Sequence, residues 1–271
     1  MFPGRPGREL SRALHHSFLV SSDRNQISRE VLVAALGEDW PPELIQTAAE
    51  LLADSASRFP SGPRRLPGDL VRAIQRERLL VGMLGAVSEL GYRTTNVQEV
   101  IDRAGVSRPT FYEHFSNKDD CFLAAFDTCA ERLREQVATA ADQGGDVWRD
   151  RIRGGFGALL TFAAAEPEAA RVVIVEARAA TPDAARRRID LLDHFASCID
   201  TKVRELLPAG TTHSPITASG VVGGVESLLY ARLNKGQMED LPALLPSLMY
   251  FAVLPYEGHL AASEELGLKS T

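Results

Sequence analysis

The chain has 271 residues, of which 45% are hydrophobic and 24% charged, with a formal net charge of −6. At roughly 100–200 residues per domain this length predicts about two domains, and the composition excludes collagen-like, disulfide-scaffold and bulk-disordered classes. The longest uncharged run, Leu206 to Val225, carries two prolines, a histidine and several hydroxyl side chains, so it lacks the ~20 predominantly apolar residues of a membrane span. Met1-Phe2-Pro3-Gly4-Arg5 leads into polar residues rather than the apolar core of an export signal. Three cysteines without a paired short spacing (Cys121, Cys129, Cys198) read as reduced thiols. A soluble, cytoplasmic protein is expected.

In chain order, the first 57 residues hold apolar runs at Val31–Leu36 and Leu44–Leu52 on either side of Trp40-Pro41-Pro42. Proline is tolerated in a first helical turn, so this pattern predicts a helical hairpin. A hairpin of that size needs to dock elsewhere to be stable. Arg58 to Gly68 is rich in proline and glycine and predicts a basic, non-helical linker. Helical spacing then resumes with Leu80, Met83/Leu84, Val87 and Leu90, which step by three and four. Residues 64–118 carry nine Lys and Arg against six Asp and Glu, a net +3, whereas residues 119–271 carry fifteen against twenty-two, a net −7. A modestly basic segment beside an acidic remainder fits a small module that faces a polyanion.

That segment contains the most informative stretch of the chain. Thr95 followed by Gln98 predicts a capping box that starts a helix at Asn96. The helix is short, because Gly105 can take the left-handed conformation of a C-terminal cap. Ser107 can cap a second helix, with Pro109 tolerated in its first turn. Two short helices joined by a tight glycine-containing turn form the skeleton of a helix-turn-helix. On the second helix Phe111 and Phe115, at i and i+4, should face inward with Val100 and Val106. Arg108, Pro109, Thr110 and Tyr112 then form an outward strip near the helix N-terminus, the end that meets base edges in such folds. Arg can grip guanine bidentately, and Thr, Tyr and His114 can reach phosphates or bases. Lys118 opens the next helix, where its ammonium and free backbone N–H groups could both meet a phosphate.

Gly91-Tyr92, Thr94-Thr95, Ala104-Gly105-Val106-Ser107, Thr110-Phe111-Tyr112, His114-Phe115 and Lys118 together resemble the N-terminal DNA-binding domain of the tetracycline-repressor (TetR) family, over about 50 residues from Asp69 to roughly Phe122. The resemblance implies a homodimer on a near-palindromic operator of double-stranded DNA. It also implies repression relieved when a small molecule, here an unknown effector, fills the larger domain. By position, Thr95, Tyr112, His114 and Lys118 resemble the family's phosphate-contacting residues, and Arg108, Pro109 and Thr110 its base-reading positions, with Ser107 beside them. The N-terminal extension departs from the family, in which only a short arm is typical. It opens an alternative reading, an all-α ligand-binding or protein-interaction module whose DNA reading has lapsed or is blocked. Arg64-Arg65 read as solvated linker charges, with a minor-groove arm as the alternative.

Beyond residue 122, stripes at helical spacing recur: Leu133, Val137 and Ala141; Leu191, Phe195, Ile199 and Val203; Val221, Val225, Leu228/Leu229 and Leu233. Breaks fall at Gly144-Gly145, Glu166-Pro167, Thr181-Pro182, Pro208 to Pro215 and Pro242/Pro246. Arg186-Arg187-Arg188, with Asp183 and Asp190 four residues from Arg187 and Arg186, reads as a solvated, salt-bridged helix face. The glycines at 154–157 and 220–224 read as close helix–helix approaches, since the first group lacks a preceding strand and a phosphate-loop lysine. No metal spacing joins the cysteines to a histidine, Asp193-His194 lie on different helix faces, and no nucleophile is placed by a motif, so no enzyme, metal or cofactor is expected. Val221, Val225, Leu229 and Leu244/Leu248 suggest a dimer interface through helices near 221–233 and 241–254. An effector site should lie between Asp119 and Leu207, where Trp148, Phe156, Phe162 and Phe195 are possible lining residues. The expected fold is all-α: an extension and linker at 1–66, a helix-turn-helix domain at 67–122, and a larger ligand-binding and dimerisation domain at 123–271.

Overall fold

The structure is a computed structural model, and it describes residues 32, 41–54, 66–206 and 213–267. Among the described residues every element is helical and none is a strand. No helix among them is long and apolar enough to cross a membrane. The first half of the expected hairpin (apart from Leu32), most of the expected basic linker with Arg64-Arg65, and residues 208–212 of the expected break at Pro208 to Pro215 lie outside the described residues. The chain divides into two compact units, residues 1–128 and 129–271.

In the first unit, α1 (Pro42–Ala53) begins at Pro42 in its first turn and buries Ile45, Ala48, Leu51 and Leu52. Spacings of three and four put these on one side, where they pack with Leu32, Leu66, and Leu70, Ala73 and Ile74 of α2 (Gly68–Leu90). Each fully buried leucine or isoleucine there stabilises by about 1.5–3 kcal/mol. Arg78 of α2 completes the joint: its Nε donates to the Leu51 carbonyl at 2.7 Å and its Nη2 to that of Asp54. These are carbonyls that the end of a helix leaves without intrahelical partners. The extension helix is thus docked on the helix that leads into the helix-turn-helix.

Helices α3 (Val97–Ala104) and α4 (Arg108–His114) follow. A Cβ at Gly82 would lie 2.7 Å from the Val100 carbonyl oxygen and 3.2 Å from the Ala104 nitrogen, so α2 and α3 approach to a distance that only glycine allows. Gly105 turns the chain at φ 62°, in the left-handed conformation expected of it. Phe111 and Val100 are fully buried and Phe115 nearly so, while Val106 is half-buried. Helix α5 (Lys118–Asp142) crosses the division between the units.

In the second unit, α6 (Trp148–Ala165) and the one-turn α7 (Pro167–Ala170) run into a π-helical turn at Arg171–Val175 and a 3-10 turn at Glu176–Arg178. Helices α8 (Pro182–Leu206) and α9 (Thr217–Asn234) follow, and a 3-10 turn leads into α10 (Leu245–Gly267). The irregular stretch after Pro167 carries no break signal in the sequence. The last helix also runs past the expected 254, bending at Gly258 with φ 82°. Arg149 and Arg153 of α6 hold its far end through Glu257, Glu264 and Glu265. Gly154 lies so near Ala140 of α5 that a Cβ would strike its carbonyl, and a Cβ at Gly224 would lie 2.7 Å from the Phe251 ring. Both glycine clusters therefore serve close packing, as their apolar helical setting predicts.

Candidate functional site

The turn before α3 is built differently from the capping box expected of it. Asn96, not Thr95, caps the helix, its Oδ1 accepting from the N–H groups of Gln98 at 2.8 Å and Glu99 at 3.2 Å. Thr95 is only 2% exposed and its hydroxyl donates to the Gly91 carbonyl at 2.9 Å. The Asn side chain is one position nearer the free N–H groups, so the threonine hydroxyl is left to close the turn behind it. A phosphate could meet Thr95 only through backbone.

Lys118 is also engaged. Its Nζ donates to the carbonyls of Tyr92 at 3.0 Å and Thr95 at 2.9 Å, and it lies 4.0 Å from the Tyr92 ring centroid. Tyr92 donates from its hydroxyl to Asp119. Burial first, and then that carboxylate, hold the phenol well above its ordinary range. Lys118 thus pins the 91–95 turn to the start of α5, where Asn117 Oδ1 accepts from the Asp120 N–H and Asp120 Oδ2 from the Ser116 N–H, both at 2.9 Å. An ammonium has three donors, and two are spent inside the protein.

The start of α4 faces outward. Ser107 caps it by accepting from the Thr110 N–H at 3.2 Å, and its hydroxyl lies 2.8 Å from that of Thr110. Ser107, Arg108 and Pro109 are exposed, Tyr112 is 51% exposed, and Thr110 is half-buried. Arg108 donates from Nη2 to Gln98 Oε1 at 2.9 Å, and Gln98 donates to Asp102 at 2.8 Å. Gln98 therefore holds the guanidinium across the turn. This role was hidden in the sequence because Gln98 and Arg108 are brought together only by the corner between α3 and α4. His114 turns the other way: it is half-buried and its Nε2 is buried without a hydrogen-bond partner. Burial, then the charges of Arg72 and Arg76, lower its pKa from 6.5, with Glu113 opposing. Its Nε2 is not presented to a ligand in solvent.

The second unit holds an apolar cavity of about 130 Å³. Its wall draws on α5, α6, the π-helical turn, α8 and α9, including Val137, Phe156, Ile174, Leu191, Phe195 and Val225. Phe156 and Phe195 line it, as the sequence suggested, while Phe162 and Trp148 do not. Among charged residues, Arg151, Arg188, Lys202 and Glu226 reach the wall. The arginine triplet is accordingly not one solvated face. Arg186 pairs with Asp183 at 2.9 Å, three residues away, whereas Arg188 turns inward to Glu226 at 2.8 Å. Of the residues suggested for a dimer interface, Val221, Val225, Leu229 and Leu248 turn inward and are at most 3% exposed within the protomer, while Leu244 is half-buried. Among the exposed residues of the same two helices are Gly220, Ser227, Phe251 and Leu254.

Residues 86–125 match the model of the bacterial regulatory proteins of the tetR family. The chain is similar to the HTH-type transcriptional activator FasR of Mycolicibacterium smegmatis, with 30% identity over 130 residues, 45% of this chain. The match spans little more than half, 57%, of that activator's own length. Two solved structures share the fold. The fatty acid degradation regulator FadR of Bacillus halodurans has a TM-score of 0.57 at 17% identity, over 73% of this chain and 97% of its own. The regulator FadR of Bacillus subtilis, in complex with stearoyl-CoA, has a TM-score of 0.56 at 18% identity, over 67% of this chain and 97% of its own. The stretch that matches the tetR family of bacterial regulatory proteins is thus a helix-turn-helix capped at Asn96 and Ser107 and turned at Gly105, and it is followed by a helical unit with an apolar cavity.

Proposed function

We propose that this chain is a homodimeric transcription regulator of the cytoplasm, in which α4 reads base pairs of a near-palindromic operator and an effector in the second unit sets the affinity for DNA. The observation that carries the reading is the outward strip at the start of α4, where exposed Arg108 is held by Gln98 beside Pro109, Thr110 and Tyr112. A guanidinium presented in this way suits bidentate contact with guanine, and the Tyr112 hydroxyl suits a phosphate. Ser107 supports both by capping the helix that carries them. Thr95 and Lys118 act mainly through the turn they brace, whose exposed Arg93 and Thr94 offer further backbone contacts. One reading helix gives little affinity, so two-fold pairing would set two of them about 34–36 Å apart, one helical turn of DNA. Exposed residues of α9 and α10, among them Gly220, Ser227, Phe251 and Leu254, offer a surface that suits this pairing. The apolar cavity is the effector site in this reading, and the neighbour's stearoyl-CoA supports a ligand with an apolar body. A ligand shifts the protein only by its differential affinity for the two states.

The test is selection of random duplex DNA by the full-length chain at about 150 mM salt, where nonspecific phosphate attraction is reduced. Enrichment of a near-palindrome is expected. Tyr112→Ala should weaken binding to all sequences, and Arg108→Ala should change the preference at one or two base pairs. Absence of any enriched sequence would overturn the reading, and uniform losses for Arg108→Ala would remove its base-reading role.

A further inference from the structure

The charges at the cavity wall are not alike. Arg151 has its own carboxylate, Asp142, at 2.8 Å, and Lys202 has Glu205 at 2.8 Å. At the other end of the α8 lining the arrangement is two cations on one anion. Glu226 accepts from Arg188 Nη1 at 2.8 Å and from Arg178, whose Nε lies at 3.1 Å and whose Nη2 also contacts it. Glu226 is the only carboxylate that pairs with either arginine among the described residues. Its side chain is 10% exposed, against 19% for Arg188 and 31% for Arg178. Arg188 Nε is buried without a hydrogen-bond partner. A mostly buried group with one net positive charge and an unused donor therefore closes an apolar cavity. Such a charge is costly to hold without a counter-ion.

Position and size narrow what would complete it. Arg188 and Lys202 lie at the two ends of the α8 lining, with Leu191, Leu192, Phe195, Cys198 and Ile199 between them. At 1.5 Å per residue this separates the ends by about 21 Å. The free volume of about 130 Å³ is on the scale of apolar cavities that hold a benzene-sized molecule, so a large body does not fit without movement of the walls. We infer that the effector is a small apolar carboxylate that enters body and head together and places its carboxylate on Arg188, sharing that guanidinium with Glu226. The inference rests on the cavity being the effector site and adds the ligand's chemical class and orientation. A charge-assisted contact to a guanidinium inside an apolar site is stronger than a neutral hydrogen bond, so the anion, not the chain, sets the discrimination.

The test is isothermal titration of the full-length chain without DNA, using hexanoate, 1-hexanol and hexanoyl-CoA as probes. Hexanoate is expected to bind about tenfold or more tightly than hexanol, and more tightly than the thioester. Arg188→Leu should bring the two small probes to equal affinity, and Lys202→Ala should leave their ratio unchanged. If Arg188→Leu fails to fold, Glu226→Gln gives the opposite sign: with the competing carboxylate gone, hexanoate should bind severalfold more tightly and hexanol as before. Equal or better binding of hexanol, a preference lost in Lys202→Ala but kept in Arg188→Leu, tighter binding of hexanoyl-CoA, or no binding of hexanoate would each overturn the inference. Because no readout involves DNA, its failure leaves the operator selection standing, and failure of that selection leaves these affinities measurable.

Discussion

In the first unit the eight residues of the candidate interface lie within 24 consecutive positions, Thr95 to Lys118, whereas the cavity wall of the second unit is gathered from residues 133 to 229. The difference is one of range. A helix-turn-helix is made by caps, a left-handed glycine and apolar residues a few positions apart, all interactions between near neighbours. A cavity between helices is made by packing, and a residue belongs to its wall or to the outer face according to which side of its helix a distant helix covers. Arg186 and Arg188 illustrate this: two positions apart, one pairs with Asp183 at the surface and the other closes a cavity. Val225 and Ser227 repeat the lesson on α9, one buried in the protomer and the other exposed.

If the first unit is governed by its local corner, breaking the corner's anchor should cost most. Phe111→Ala should destabilise that unit by about 3–5 kcal/mol, read by denaturant unfolding, with loss of DNA binding; a cost below 1 kcal/mol would show the corner to be held from elsewhere. The extension tests the converse, since its contact with α2 is long-range. Leu51→Ala should cost about 2–5 kcal/mol in the same measurement, because its side chain fills the joint with Leu70 and Ile74. No change would mean that the extension is not part of the folded unit. In the second unit, Phe251→Asp should raise the dimer dissociation constant by about tenfold or more in sedimentation runs, while helix content stays unchanged; Val225→Asp should instead unfold the protomer. Asn96→Ala should cost about 1 kcal/mol, against little for Thr95→Ser, which keeps the hydroxyl donor to Gly91. No cost for Asn96→Ala would remove it as the cap.

The smallest effect concerns pH. Burial and the neighbouring arginines lower the pKa of His114 in the folded state from 6.5, so the unfolded chain takes up the proton first as pH falls. The stability this neutral histidine contributes is present above about pH 6.5 and is lost as pH drops below it. The fall in Tm between pH 7.5 and pH 5.5 should therefore be shallower in His114→Gln than in the parent chain. An equal slope in both would remove His114 from the account.

Much of the corner was legible because its information is local. Ser107 and Gly105 could be assigned from their own chemistry, and Phe111 with Phe115 from a spacing of four. The misreading of Thr95 arose at the same range, where two adjacent capping residues compete and the one-residue offset is decided by which oxygen reaches two N–H groups. The docking of α1 was legible only as a need, since Ile45, Leu51 and Leu52 announce an apolar side without saying what covers it. Gln98 was legible only as a capping partner and Arg188 only as part of a solvated face, and Glu226 carried no signal. Each is an ordinary polar residue on a helix, and each acquires a role from a partner on another element.

By itself, then, the sequence determined the all-helical class, the position of the helix-turn-helix and the outward strip from Ser107 to Tyr112. These follow from periodicity, capping and turn chemistry, which act over three to five residues. Only the tertiary structure decided that Lys118 is spent on the carbonyls of Tyr92 and Thr95, that the Nε2 of His114 is buried, and that Val221 and Val225 are core while Phe251 is surface. It also decided that two arginines share one carboxylate at the end of an apolar cavity. Those outcomes depend on which surfaces exclude water from one another, and that is settled by contacts between residues tens of positions apart.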